Sequence, residues 1–179
     1  MYGCFHLYRL DAIDGLYRRG YRRIAMMETE ETGHDKLLFQ RLTDMVEEVN
    51  RQYAGDGFSC RIFYSGLDRA KIREALSAYE PDAAFLCGVE HYMVYSDSFS
   101  GLGLRVPEDL AVIAASHSKH GGLEYEPTVS TMFLDSYEMG QRAAALLIRE
   151  IENAETPLSA ERKVPYTFID RQSVLKRKS

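Results

Sequence analysis

Apolar residues along the chain fall into two alternating patterns, short continuous runs and longer segments with helical spacing. Ile24 to Met27, Cys60 to Tyr64, Ala83 to Cys87 and Leu110 to Ala115 are runs of four to six residues, the length of a strand. Between them, Leu38, Leu42, Met45, Val46, Val49 and Tyr53 recur on one face of a helix expected from His34 to about Ala54. Ile72, Leu76 and Tyr79 do the same over Asp68 to Tyr79. An earlier helix is expected from Leu10 to Arg19, stopped by Gly20 after a short apolar run at Cys4 to Tyr8. A later one runs from Glu90 to Phe99 and is closed by Gly101 and Gly103. Runs as apolar as AAFLC and LAVIAA need cover on both faces, as in a parallel sheet between helix layers. The pattern predicts a doubly wound α/β unit.

After residue 115 the rhythm changes. Ser116 to Pro127 holds two histidines, two glycines and a proline and reads as a loop. Val129 to Leu134 reads as a strand. Asp135 with Glu138 three residues on resembles a capping box for a helix whose apolar face is Met139, Ala143, Leu146, Leu147 and Ile151. A polar linker at Glu155 to Glu161, a last strand at Val164 to Ile169 and a basic tail complete the chain, without repeats or low-complexity segments.

Composition narrows the function classes. The 179 residues are 45% hydrophobic and 27% charged, enough for a sizeable core. A net charge of −5 argues against DNA being held by this chain alone. The arginines at 18, 19, 22 and 23 and the Lys176 to Lys178 tail read as solvated surface. Three cysteines without a Cys-x-x-Cys pair fit neither a disulfide framework nor a zinc ribbon, and suggest a reducing compartment. Neither a secretory leader nor an apolar span is evident, so the cytoplasm is the default expectation.

Dinucleotide, P-loop, nucleophile-elbow and zinc-protease patterns are all missing. An enzyme would have to draw on Glu90, His117 and Asp135, each of which has a milder reading as helix start, loop residue and N-cap, so none is expected. His117 and His120 lack a third ligand, so no metal is expected, and no cofactor. Glu28, Glu30 and Glu31 read as a solvated strand-to-helix loop, and Cys87 as a small core residue. Ligands of open α/β sheets sit beyond the carboxyl ends of the strands. That rule selects Glu28, Thr29, Ser65, Gly88 to His91 (with Val89 and Glu90), Ser116 and His117.

RRGYRRIAMM, PDAAFLCG, GLGLRVPEDLAVIAAS, EPTVSTMFLDSYEMGQRAAALLIREI and FIDRQS, in that order, resemble the effector-binding domain of the LacI/GalR family of transcriptional regulators. The resemblance covers most of residues 10 to 175. It implies a type I periplasmic-binding-protein fold, with two α/β subdomains, a small-molecule effector in the cleft between them, and homodimerisation. It further implies that residues 22–115 form the C-terminal subdomain. Residues 1–21 would be a remnant of the N-terminal subdomain and first crossover, residues 116–153 a loop, strand and helix of that subdomain, and residues 154–179 a return strand and tail. The family's DNA-reading head is not within this sequence, which therefore reads as the C-terminal portion of a regulator.

Where the family usually carries Asn-Asp, this sequence has Gly88 and Val89, and family acids after the next strand are replaced by Ser116 and His117. A family arginine in the first long helix falls at Phe39, with Arg41 close by. Loss of these charged groups argues against an ordinary polyol, although a sugar or related metabolite remains the expected effector class. The same resemblance implies that Ile13, Leu16, Tyr17, Met139, Ala143, Leu146, Leu147 and Ile151 pack on the other subdomain or a second copy, so the chain should self-associate. A solute-binding protein of the same fold, or a small flavodoxin-like enzyme, are the competing readings.

Overall fold

The computed structural model describes residues 7–28, 36–152 and 166–175. Six strands, β1 (Arg23–Glu28), β2 (Ser59–Tyr64), β3 (Ala83–Leu86), β4 (Ala111–Ser116), β5 (Ser130–Leu134) and β6 (Tyr166–Ile169), form one sheet in the order β2-β1-β3-β4-β5-β6. The first five are parallel and β6 returns antiparallel to β5. The helices are α1 (Leu7–Arg18), α2 (Lys36–Gln52), α3 (Arg69–Tyr79), α4 (Tyr92–Gly101) and α5 (Ser136–Ile151).

Side chains of a strand alternate between faces, and the runs read from the sequence divide accordingly. Ile24, Met26, Phe85 and Ile113 meet Leu42, Met45, Val46 and Val49 of α2 on one face. Ala25, Met27, Ala84 and Leu86 meet Ile72 and Leu76 of α3 and Tyr95 and Phe99 of α4 on the other. Asp68 starts α3 by accepting from the Ala70 and Lys71 amides at 2.7 and 3.2 Å. The carboxylate of Asp82 accepts from the Arg22 and Arg23 amides at 2.9 Å, fixing the start of β1 beside that of β3.

α1 packs within this chain. Ile13 and Leu16 are fully buried in its core, and Tyr17 stacks on Tyr53 with ring centroids 3.9 Å apart. α1 lies on the same sheet as α2, because a parallel sheet of this width needs more than one helix per face. β5 joins the same sheet, with Ile113 paired to Ser130.

The FIDRQS segment clips the sheet edge. Arg171 donates to Val129 O at 2.6 Å, to Thr131 Oγ1 at 3.0 Å and to Lys119 O at 2.8 Å. The buried Ser173 hydroxyl donates to Val112 O at 2.5 Å and accepts from the Ser130 amide at 2.8 Å. Gly122, at φ +91°, lies so close to Val129 that a Cβ would press on its carbonyl oxygen at 2.6 Å.

α5 is different. Asp135 caps it, accepting from the Glu138 amide at 3.0 Å, but the Glu138 carboxylate turns to Arg142 at 3.0 Å, so only half of the capping box forms. Met139 and Leu146 are half-buried, Ala143 is exposed, and Leu147, Ile148 and Ile151 are 61%, 55% and 71% exposed. Arg18 and Arg23 are exposed and pair with Asp14 and Glu80, as the solvated reading expects, whereas Arg19 and Arg22 are partly buried, Arg19 on Asp170 and Arg22 on the Tyr17 and Tyr21 carbonyls; the basic tail lies outside the described residues. Among the described residues no helix is long and apolar enough to cross a membrane.

Candidate functional site

Parallel strands bring their carboxyl ends to one edge of the sheet, where the described segments after β2, β3 and β4 begin. Glu28, which ends β1, is 6% exposed and its carboxylate is already taken. Arg9 of α1 holds it through Nε at 3.0 Å and Nη2 at 3.2 Å, a two-pronged pair with both side chains 8% exposed. Burial lowers the tendency of Arg9 to stay charged, but the neighbouring Glu28 outweighs it and holds the guanidinium above its ordinary pKa. The Tyr8 ring lies 4.8 Å from the guanidinium carbon, and burial pushes its phenol up to about 12. Glu28 is thus a structural anion, not the solvated loop acid expected from the sequence.

Phe39 of α2 packs on Tyr64 at the end of β2, ring centroids 5.0 Å apart, and Arg41 points to solvent on the same helix. Thr29, Glu30 and Glu31 lie outside the described residues. Beyond β3, Gly88 opens a single 3-10 turn at Val89–His91 that leads into α4. Val89 is buried against the α3–α4 side of the core, while Glu90 is exposed. After β4, the Ser116 hydroxyl turns inward, donating to Ser118 O at 2.9 Å and accepting from its amide at 3.1 Å. Exposed His117 bridges instead to Ser136 at the start of α5, Nδ1 to Oγ 2.7 Å. The structure therefore leaves Phe39, Glu90 and His117 within reach of solvent at the rim, and buries Glu28, Gly88, Val89 and Ser116.

Two pairings escaped the sequence reading. Half-buried His91, one of the strand-end candidates, has Nδ1 3.8 Å from the Sγ of Cys87, which is itself only partly buried, not a core residue. Their spacing of four residues was the available signal. The second is Arg9, nineteen residues from Glu28, for which no local signal exists. Among the described residues no three His, Cys, Asp or Glu side chains converge to hold a metal ion.

A cavity of about 420 Å³ lies elsewhere, on the sheet face between α1 and β6, floored by Ile113 and Met132. It sits mid-strand, and its polar walls are engaged: Tyr166 donates to Asp11 at 2.6 Å and Arg19 grips Asp170 at 2.7 Å. The rim is the better candidate because it collects groups that reach solvent.

The family model for the periplasmic binding protein-like domain matches residues 13–174. The chain belongs to the periplasmic binding protein-like domain family. Among solved structures, a sugar-binding transcriptional regulator of the LacI family from Escherichia coli, complexed with phosphate, shares 16% identity at a TM-score of 0.75. A LacI-family regulator from Enterococcus faecium with bound ribose shares 19% at 0.68, and one from Arthrobacter sp. FB24 in complex with lactose shares 24% at 0.66. This chain is covered to 98%, 96% and 94% but spans only 63%, 64% and 63% of theirs. No curated protein matches it by sequence. The fold expected from the resemblance, a mostly parallel α/β sheet of the type I periplasmic-binding-protein kind, is the one observed.

Proposed function

We propose that this chain is the effector-sensing part of a LacI-type transcriptional regulator, binding a small metabolite against the carboxyl-end rim of its sheet. The observation that carries this reading is the family match over a parallel sheet whose carboxyl-end rim exposes Glu90 and His117 and, in part, Phe39. Relatives of this fold contain ribose, lactose or phosphate, and sugars or sugar phosphates are the class to test. The exposed rim histidine His117 can donate to a ligand with acceptor oxygens, such as a phosphorylated or carboxylated sugar.

DNA would be read by a head outside these residues, and effector binding would shift the protein between two conformations of different DNA affinity. The unpartnered α5 face, with Leu147, Ile148 and Ile151 exposed, supports packing on a further subdomain or a second copy. A calorimetric titration of the full-length gene product with pentoses, hexose disaccharides and sugar phosphates tests the reading. Saturable binding by one class, weakened in His117→Ala, is expected; absence of binding across all three classes overturns it.

A further inference from the structure

Cys87 lies between the core and the rim. Its amide donates to Met27 O at 3.1 Å, which fixes the backbone, and its Sγ is 3.8 Å from Nδ1 of His91, one turn further along. Both side chains are partly exposed. With the imidazole proton on Nε2, Nδ1 accepts from the thiol, the arrangement by which histidine activates a sulfur nucleophile; such pairs are commonly loose before a reactant is present.

We propose that Cys87 is a nucleophilic thiol with His91 as its proton acceptor, and that it captures soft carbon electrophiles of the α,β-unsaturated carbonyl class at the rim of the sheet. His91 takes the thiol proton, and sulfur attacks the β-carbon to form one S–C bond. The double-bond electron pair moves toward the carbonyl to give an enolate, and the α-carbon then receives the proton held by His91. Nothing leaves, and no oxidant or reductant is needed.

The groups around the sulfur are of mixed kind. Tyr8 and Arg9 from α1 and Tyr95 from α4 all lie within electrostatic reach of Cys87, and Glu28 at the end of β1 faces the two tyrosines. Arg9 is the cation in this group, although Glu28 offsets part of its field. Cys60 supplies the contrast within the same chain, for it is 1% exposed and burial pushes its thiol up to about 12. An adduct on Cys87 would stand on the rim proposed for the effector, but the thiol chemistry does not depend on that reading.

The test uses N-ethylmaleimide on the native full chain, with adducts quantified residue by residue by mass spectrometry between about pH 6 and pH 9, either side of the ordinary thiol range. Cys87 is expected to add about tenfold faster than glutathione near pH 7, while Cys60 stays unmodified. His91→Gln should move the Cys87 rate profile to higher pH and remove that gain. A Cys87 rate at or below that of glutathione, or a profile unmoved by His91→Gln, overturns the proposal. Because the sugar titration is read on unmodified protein, either result leaves the effector reading to be judged separately.

Discussion

Removing one half of the Arg9–Glu28 pair should cost far more than removing both. At 3.0 Å and an effective dielectric of about 20, the gross attraction between the two charges is roughly 5 kcal/mol. Both side chains are only 8% exposed, so whichever charge survives a single substitution stays in a poorly hydrated site without its partner. Glu28→Gln and Arg9→Met are each expected to lower unfolding stability by about 3–5 kcal/mol. For a chain of this size that is a drop in Tm of roughly 6–20 °C. The double variant Arg9→Met with Glu28→Leu removes both charges and should recover most of the loss. Urea unfolding of the four proteins, analysed as a double-mutant cycle, measures the coupling directly. A single-variant loss under about 1 kcal/mol, or a double variant as unstable as the two losses summed, would refute the assignment of Glu28 as a structural anion. It would also return Glu28 to the list of groups available to a ligand.

Other outcomes follow from the same structure. Burial pushes Tyr8, Tyr53, Tyr79, Tyr92, Tyr95 and Tyr166 up to about 12, so ultraviolet titration should find these six still protonated near pH 11. Because the folded values are raised, their contribution to stability is complete below about pH 10 and is lost as the pH climbs toward about 12; tyrosinate absorbance developing fully by pH 11 without unfolding contradicts this. Ser173→Ala leaves the buried Ser130 amide and Val112 carbonyl without the hydroxyl they share, and should cost about 1–3 kcal/mol by thermal denaturation. Leu147→Glu with Ile151→Glu on exposed α5 should convert any self-associated species to monomer in light scattering while leaving the melting transition of the sheet in place.

The parallel sheet was legible because its strands are continuous apolar runs, and Ile24, Ala83 and Leu110 each marked one. What each helix covers was not legible. The apolar face of α1 states that Ile13 and Leu16 are buried, but a stripe of apolar residues does not say against which sheet. The α5 face shows the converse, since a similar stripe at Leu147 and Ile151 is left open. At the rim, strand ends marked the candidate positions, while the inward turn of Ser116 and Val89 depends on backbone angles that no local pattern encodes. The Arg9–Glu28 pair joins elements that only the tertiary fold brings together. FIDRQS was recognisable as a string, yet its physical role as a clip on β4, β5 and the loop before β5 required the hydrogen bonds of Arg171 and Ser173.

Placing β6 beside β5 has a kinetic consequence. Leu134 pairs with Tyr166, so the chain must travel out through α5 and back before this last ladder can close. Treated as a flexible loop of some thirty residues, that excursion costs on the order of 3 kcal/mol in closure entropy, against a ladder of only four residues. The five parallel strands can therefore assemble first and β6 dock last, which makes it the first strand to open in native-state hydrogen exchange. Anything that braces α5 from outside shortens the search that β6 must make, and partner binding at α5 would then be read as slower exchange at Tyr166 to Ile169.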